Sequence, residues 1–264
     1  MFKEISNYKP LMSLKHKNKK SVGTDIMNMD SCRGCINKCK LCWKQYDAAR
    51  AKINFDNPVL VETLTEEVNP NHFYRFGNAG DPAYNWEHTE RIIQSKKNLA
   101  DKSFYCTKLQ NIAGFTGIIK RLQVSADPLD TNQLKITLDN VDALLNEFKD
   151  IQIVLRVRSL ATTDLILLAT QKEIVKFANE RKLTILETRL RFKSRDVFEK
   201  YSLIPEFYLD KYSRSYFRPK PNLPFLKDVD QHYLCDAAGE GCVECLNCLK
   251  LFNLIPEIQP QEAA

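Results

Sequence analysis

The sequence lacks the long apolar runs that mark a membrane protein. No stretch approaches the roughly 18 uninterrupted apolar residues that a membrane helix needs, and the N-terminal 20 residues have no apolar segment before their charges. Internal repeats and low-complexity segments are also missing. These absences argue against a helical membrane protein and a repeat array. They predict a cytoplasmic protein with no membrane partner.

What the chain does have is cysteine. It contains nine cysteines in 264 residues, a length that gives one large domain, alone or with a small appendage. Because the cytoplasm keeps thiols reduced, metal ligation is the default interpretation. Eight cysteines form two groups and only Cys106 stands apart. The groups are Cys32, Cys35, Cys39 and Cys42 near one end, and Cys235, Cys242, Cys245 and Cys248 near the other.

The positive charge is a weak indicator of function. The formal net charge of +6 counts every thiol as neutral, and iron-sulfur clusters held by thiolates would lower it. Residues 1–20 form a basic N-terminal arm, either solvated or phosphate-binding. Basic and aromatic residues gather again at 191–220. They could bind a nucleic acid or an acidic peptide, and a solvated surface is the equal alternative.

Short apolar runs alternate with stretches of helical periodicity, which predicts an α/β fold. Six runs predict strands, at 21–29, 71–82, 102–108, 121–128, 151–160 and 183–192. Apolar residues at helical spacing predict helices at 88–100, 133–150 and 170–182. Because buried parallel strands read as nearly continuous apolar runs, we expect a parallel sheet covered by helices. Six such units predict a partial (β/α)6 barrel, TIM-barrel-like in form.

The predicted domains follow from this pattern. They are the arm at 1–20, the barrel at 21–200 and a small irregular, cysteine-rich extension at 201–264. In such barrels the carboxyl ends of the strands meet on one face, where active sites are built. Four features fall at strand ends: the first cysteine loop, the GNAGDP turn, the end of FYCTK and the DP of QVSADP. The sequence therefore predicts that they converge on one pocket.

The spacing of the first cysteines suggests the kind of metal site. Four thiols in two C-x2-C pairs, with Cys32 included, could close a structural zinc site. A catalytic iron-sulfur cluster instead takes three thiolates from one loop and keeps one iron open to a ligand. The C-x3-C-x2-C spacing of Cys35, Cys39 and Cys42 suits that geometry. Cys32 is then a bystander.

With these residues the chain resembles the radical SAM superfamily, whose signature is C-x3-C-x2-C in the loop after the first strand. The resemblance covers residues 21–192. The family's Gly-Gly-Glu-Pro turn is similar to Ala79-Gly80-Asp81-Pro82, where Ala and Asp replace the first Gly and the Glu. The stretch 124–128, VSADP, is similar to the family's polar strand end near the cofactor ribose. Arg156 or Arg158 would reach the cofactor carboxylate.

The resemblance implies a radical SAM enzyme. A 4Fe-4S cluster on Cys35, Cys39 and Cys42 would bind S-adenosylmethionine and cleave it reductively to a 5'-deoxyadenosyl radical, which takes hydrogen from an unidentified substrate. An electron donor such as flavodoxin or ferredoxin is implied, and the substrate could be a nucleic acid or a peptide. The implied cofactor-binding residues are Gly80, Asp81, Ser125, Asp127 and Arg156.

The second cysteine group resembles an auxiliary iron-sulfur site. Its four members would hold a second 4Fe-4S cluster, and zinc is the alternative. They are Cys235, Cys242, Cys245 and Cys248. The arrangement with this terminal group also looks like an uncharacterised group of small phage proteins, which supplies no reaction.

Several of these residues have a simpler interpretation. Asp81 and Asp127 could cap the helices that follow them. Cys106 lies inside a predicted strand and reads as a small buried hydrophobe rather than a ligand. His88 reads as structural, and His232 as a rare metal ligand at best. The competing function is a non-catalytic zinc protein that contacts nucleic acid through its basic segments.

Overall fold

The structure, a computed structural model, describes residues 25–40, 42, 55–62, 67–212, 215–217, 232–235 and 247–254. Its strands are β1 (Asp25–Met29), β2 (Cys32–Arg33), β3 (Val59–Leu60), β4 (His72–Phe76), β5 (Ser103–Thr107), β6 (Arg121–Ala126), β7 (Gln152–Ser159), β8 (Thr184–Arg189), β9 (Arg191–Phe192), β10 (Leu209–Tyr212), β11 (Ser215–Phe217) and β12 (His232–Cys235). Its helices are α1 (Trp86–Gln94), α2 (Thr131–Glu147), α3 (Leu165–Glu180), α4 (Asp196–Lys200) and α5 (Asn247–Leu251). Short 3-10 turns lie at Pro82–Tyr84 and Pro205–Phe207.

Seven strands form one sheet in the order β1-β4-β5-β6-β7-β8-β12. Every neighbouring pair in it is parallel. Each strand joins the same side of the sheet in chain order, which is the winding of a barrel rather than of a doubly wound sheet. The fold is therefore α/β and compatible with a partial barrel. A small antiparallel sheet, β10-β11-β9, and the ribbon β2-β3 accompany it.

The two faces of the large sheet are buried against different partners. On the outer face Tyr105, Leu155 and Ile185 belong to a core cluster shared with the long helices α1, α2 and α3. On the inner face, residues one position earlier or later form a second cluster with the C-terminal segment. Its members are Ile26, Phe73, Phe104, Val154, Leu186, Leu249 and Phe252. Burial on both faces explains why these strands read as continuous apolar runs.

The inner face changes character along the strands. On β7, the apolar Val154 is followed two and four residues later by Arg156 and Arg158, which line a pocket. On β5, Phe104 is followed by Cys106 in the same way. Because side chains two residues apart point to the same face, the barrel interior is apolar toward the amino ends and polar toward the carboxyl ends. The polar and ionisable side chains of the inner face therefore lie at the carboxyl end of the sheet.

Side-chain caps define where two of the helices begin. Asn85 accepts a hydrogen bond from the backbone N–H of His88 at the start of α1. Asp164 accepts from Ile166 and Leu167 at the start of α3. Such caps satisfy N–H groups that have no partner within the helix.

The predicted strands and helices of the α/β sheet are largely confirmed, and the sheet is compatible with the predicted partial barrel. All six predicted strands and all three predicted helices are present, with ends shifted by a few residues. The seventh strand, β12, was not predicted, and the extension at 201–264 is not wholly irregular because it supplies β10, β11, β12 and α5. These elements have five residues or fewer, too short to show a period. The arm at 1–20 lies outside the described residues, whose helices are all too short or too polar to cross a membrane.

Candidate functional site

Three of the four features predicted to converge line a common pocket; the fourth, the DP of QVSADP, lies beside it, where Asp127 contacts Lys108 and Arg158. One pocket lies at the carboxyl end of the sheet, lined by residues of the cysteine loop, the GNAGDP turn, the end of β5 and the inner face of β6 and β7. Its polar and thiol-bearing residues include Cys35, Cys39, Cys42, Asn78, Cys106, Lys108, Ser125, Arg156 and Arg158. Gly80 and Asp81 line the pocket as well.

The cysteine loop is fastened to the GNAGDP turn by backbone contacts. The N–H of Gly34 donates to the carbonyl of Ala79 at 3.0 Å, and Gly34 forms a parallel bridge with Gly80. A Cβ atom on Gly80 would lie 2.5 Å from both the carbonyl oxygen and the Sγ of Cys32. Only glycine allows the two segments to approach this closely.

Asp30 fixes the other side of the same turn. This residue follows β1 directly and is buried. One carboxylate oxygen accepts hydrogen bonds from the backbone N–H groups of Asn78, at 2.8 Å, and Ala79, at 2.7 Å. Both ends of the turn are therefore held by the segment that carries the cysteines.

The carboxylate of Asp81 is occupied by contacts within the protein. It accepts hydrogen bonds from the Asn37 side chain, the Thr107 hydroxyl and the backbone N–H groups of Ala83 and Lys108, at 2.6–3.0 Å. Burial raises its pKa, against the four hydrogen bonds, which lower it. Asp81 caps the following 3-10 turn and joins three loops. Asp81 also lines the pocket.

A buried group of four charges lies beside the pocket. Asp127 contacts Arg158 at 3.0 Å and Lys108 at 3.9 Å, and Lys108 contacts Asp130 at 3.3 Å. Burial alone would raise the pKa of Asp127, but Arg158 and Lys108 hold it below its ordinary value. Asp127 does not cap α2, because the cap position belongs to Asp130. Asp130 in turn gives that helix no side-chain cap, and its carboxylate contacts Lys108 and the backbone N–H of Lys40 instead.

Arg156 differs from Arg158 in its partners. The two lie two residues apart on β7, and both line the pocket. Arg158 is paired with Asp127. Among the described residues, Arg156 has no ion pair or side-chain hydrogen bond, and its strand neighbour is Ser125. A half-buried, uncompensated guanidinium in a pocket is suited to binding an anion, above all a carboxylate.

The three thiols of the loop line the same pocket. Burial first, then the Asp81 carboxylate, raises the pKa of Cys35 far above its ordinary value. Burial raises the pKa of Cys39 to about 11, although Lys108 lowers it. Within the described part of the chain, no three His, Cys, Asp or Glu side chains are arranged as a ready set of metal ligands. The raised pKa values of Cys35 and Cys39 favour the thiol over the thiolate at these two positions.

Cys32 and His88 have structural surroundings. The thiol of Cys32 is buried and donates to the carbonyl of Asp81 at 3.0 Å, behind the turn rather than in the pocket. His88 is buried too, with Nε2 3.0 Å from the Val61 carbonyl and Nδ1 2.7 Å from an Arg91 nitrogen. Both geometries agree with the simpler interpretations.

Two of the C-terminal cysteines, Cys235 and Cys248, lie close to the large sheet. Cys235 ends β12 and pairs with Thr188 of β8, which pairs with Arg158, so Cys235 lies two strands, about 10 Å, from a pocket residue. Cys248, on α5, packs with Cys235 and Cys106 against the inner-face cluster. The other two predicted ligands, Cys242 and Cys245, lie outside the described residues.

Sequence reasoning missed several residues that build this site. Asp30, Asn37, Lys108 and Gln123 were not singled out, although Asp30 and Lys108 follow strands directly and the rule for strand ends could have found them. Nothing in the sequence pairs Asn37 with Asp81, 44 residues away. That contact depends on the fold.

Comparison with protein-family models, curated proteins and solved structures gives no match for this chain.

Proposed function

We propose that this protein is an enzyme of the radical SAM type. In this proposal Cys35, Cys39 and Cys42 hold a 4Fe-4S cluster, and the adjoining pocket binds S-adenosylmethionine. When bound, the pair supplies one-electron chemistry that yields a 5'-deoxyadenosyl radical for hydrogen abstraction.

One observation carries the proposal. Three cysteines, a glycine turn, a serine and an arginine without an ion pair among the described residues come from four separate parts of the chain and line a single pocket at the carboxyl end of a parallel sheet. A protein that used its cysteines only to close a structural zinc site would not need the turn, Ser125 and Arg156 beside them. The zinc alternative also depends on Cys32, whose thiol faces the Asp81 carbonyl.

The donor set fits the proposed groups. Three thiols from one loop leave one coordination position of a cubane for a ligand. Because the pKa values of Cys35 and Cys39 are raised, metal binding would release protons from these two thiols and draw the sulfur atoms of the loop together. The pocket encloses about 140 Å³, less than the ~300–1,000 Å³ of typical small-molecule sites. S-adenosylmethionine would therefore fill the pocket and extend beyond it.

Other residues at the pocket would contact the cofactor and exclude water. Arg156 offers a positive charge to a carboxylate, and the neighbouring Ser125 offers a hydroxyl. The GNAGDP turn, whose Asn78 and Ala79 N–H groups are fixed by the Asp30 carboxylate, forms one wall of the pocket. Below them the apolar inner face, closed by Leu249 and Phe252, keeps water away from the pocket floor.

The experiment is anaerobic reconstitution with ferrous iron and sulfide, followed by reduction with dithionite in the presence of S-adenosylmethionine. We expect about four irons at the first site and formation of 5'-deoxyadenosine, detected by mass spectrometry. Cys35→Ala should abolish the product. A Cys35→Ala protein that still forms 5'-deoxyadenosine would refute the assignment.

Cys32→Ser is the matched control. It lies in the same segment, and its hydroxyl can still donate to the Asp81 carbonyl that the thiol now contacts. We expect iron content and 5'-deoxyadenosine to stay at the level of the unaltered protein. If the anaerobically purified protein were colourless and contained zinc, the alternative function as a zinc-binding, nucleic-acid-contacting protein would replace this one.

A further inference from the structure

The pocket at the cysteine loop contains a single aromatic residue. Among the described residues that line it, Phe55 is the only one with an aromatic ring, and the others are cysteines, glycines, an alanine and polar residues. Small-molecule sites are usually lined mainly by apolar and aromatic side chains. The apolar part of a ligand in this pocket therefore has Phe55 as its one large apolar neighbour in the described part of the chain.

Phe55 does not belong to the hydrophobic core. It is half-buried, whereas the two residues that follow it, Asp56 and Asn57, are exposed. None of the three hydrophobic clusters formed by the described residues includes it. The side chain of Phe55 is therefore available to a ligand rather than committed to core packing.

The chain around Phe55 is anchored beside the cysteine loop. A few residues further on, β3 pairs with β2, and the buried Leu60 lies opposite Cys32 in this antiparallel ribbon. Directly after Phe55, Asp56 forms an ion pair with Lys38 of the cysteine loop, with Oδ1 and Nζ 2.7 Å apart. An exposed pair of this kind adds little stability, so the ribbon is the main anchor. Together these contacts place Phe55 next to the loop that carries the thiols.

We propose that Phe55 is a specificity-determining residue of this pocket, and that its ring stacks on the adenine base of S-adenosylmethionine. The inference rests on the proposed function, because it takes that molecule as the ligand. It adds a contact that the cofactor-binding residues implied by the resemblance cannot make, since none of them has an aromatic ring.

The two halves of the ligand differ in chemistry, and so do the residues of the pocket. The methionine half carries a carboxylate, an amino group and a sulfonium, which suit polar partners such as Arg156 and Ser125. Adenine instead presents a flat π face, and an aromatic side chain is its natural stacking partner. Phe55 is the residue of this pocket that offers such a surface.

The test measures the two halves of the ligand separately. 5'-Deoxyadenosine carries the base without the methionine, and L-methionine carries no base. Binding of each compound to the anaerobically reconstituted protein is measured by equilibrium dialysis. Phe55→Ala should weaken the binding of 5'-deoxyadenosine about 5- to 150-fold and leave the binding of methionine unchanged.

Two variants distinguish stacking from simple apolar contact, and they keep the test decisive if Phe55→Ala folds poorly. Phe55→Tyr retains the ring and should bind 5'-deoxyadenosine as the unaltered protein does. Phe55→Leu retains an apolar side chain without a π face, and it should bind the nucleoside weakly. Phe207→Ala is the matched control, because Phe207 is also partly exposed but does not line the pocket, and it should change neither affinity.

Three results would overturn the inference. One is a Phe55→Leu protein that binds 5'-deoxyadenosine as tightly as the unaltered chain. Another is an equal loss of affinity for both ligands in Phe55→Ala, which would mean that Phe55 shapes the pocket as a whole. The third is an unaltered protein that does not bind 5'-deoxyadenosine.

The proposed function fails on a different measurement. It is refuted when the reconstituted and reduced protein forms no 5'-deoxyadenosine from S-adenosylmethionine. A protein that forms this product while Phe55→Leu still binds the nucleoside tightly refutes only the stacking contact. The two failures are therefore distinguishable.

Discussion

At the scale of single residues, the pocket depends on charges that are buried and matched. Asp127 and Lys108 are 3% and 8% exposed, and an isolated charge that deep would be costly. The cost is offset because Asp127 and Asp130 form ion pairs with Lys108 and Arg158. Arg156 also lines the pocket, and it has no ion pair in the described part of the chain. One arginine on β7 maintains structure while the other is available to a ligand.

Replacing Arg158 should change how the free energy of unfolding depends on pH, because Arg158 forms an ion pair with Asp127. An aspartate in an unfolded chain has a pKa of about 3.9. The lowered pKa of folded Asp127 gives stability that is fully present above that value and lost as pH falls through the folded pKa. In the Arg158→Gln variant the burial of Asp127 would outweigh its remaining contacts, and the pKa of Asp127 would rise. We expect a loss of about 2–3 kcal/mol at pH 7 that shrinks below about pH 4.

Urea unfolding of both proteins at pH 7 and pH 3.5 measures this difference. Lys176→Gln is the control, because Lys176 forms an exposed ion pair with Glu180 on α3, and its loss should change the free energy of unfolding by less than about 0.5 kcal/mol. A destabilisation by Arg158→Gln that is the same at both pH values would contradict the role assigned to Asp127.

At the scale of elements, the site depends on how closely two loops approach. The cysteine loop follows β1 and the GNAGDP turn follows the neighbouring strand β4, and Gly80 allows the two segments to make backbone contact. The position of the three thiols is thus set by a turn that contributes no thiol.

Gly80→Ala should displace the cysteine loop. Its new methyl group would lie 2.5 Å from the Cys32 carbonyl and 2.7 Å from that of Gly34, both backbone atoms. We expect a loss of about 3 kcal/mol in the free energy of unfolding, with weaker iron uptake by the first site. Both are measured on the same preparation, by denaturant titration and iron analysis.

Gly114→Ala provides the comparison. Its φ of +78° also favours glycine, but the nearest atom to a new Cβ is 3.5 Å away. Only backbone strain of about 1 kcal/mol is expected, with iron uptake unaffected. Equal effects of the two variants would show that loop contact at Gly80 does not position the thiols.

The sequence predicted the elements of the barrel because strands buried on both faces leave long apolar runs, as at 151–160 for β7. It predicted the convergence of the loops because the carboxyl ends of parallel strands share an edge. It could not predict that the Asp81 carboxylate would accept hydrogen bonds from Asn37, Thr107 and Lys108, because those contacts join three loops that are distant in sequence. For the same reason it could not predict that the Asp81 carboxylate already accepts four hydrogen bonds within the protein.

At the scale of the whole molecule, the C-terminal segment is part of the barrel. The strand β12 extends the sheet beyond β8, and α5 with the residues after it covers the inner face. A four-residue strand and a five-residue helix carry no periodic signal, so the sequence alone suggested a separate extension. Their position follows from an apolar inner face that must be covered.

Phe252→Ala tests whether the barrel depends on this cover. Phe252 is 1% exposed and packs on Phe104 of the inner face, so truncating it removes buried area and leaves a cavity. We expect a loss of about 3–5 kcal/mol in a single unfolding transition, because segment and barrel share one core. Phe207→Ala, at a ring that is 38% exposed, should cost about 1 kcal/mol or less.

The same variant should expose a thiol. If α5 is loosened, Cys248 loses its shielded position beside Gln123, and its alkylation by iodoacetamide in metal-free protein should become faster than in the unaltered chain. Peptide mapping by mass spectrometry follows this cysteine separately from the others. The packing of α5 is what places Cys248 at the inner face. A Phe252→Ala protein that is as stable as Phe207→Ala, with Cys248 no more reactive, would show that Phe252 does not hold this helix in place.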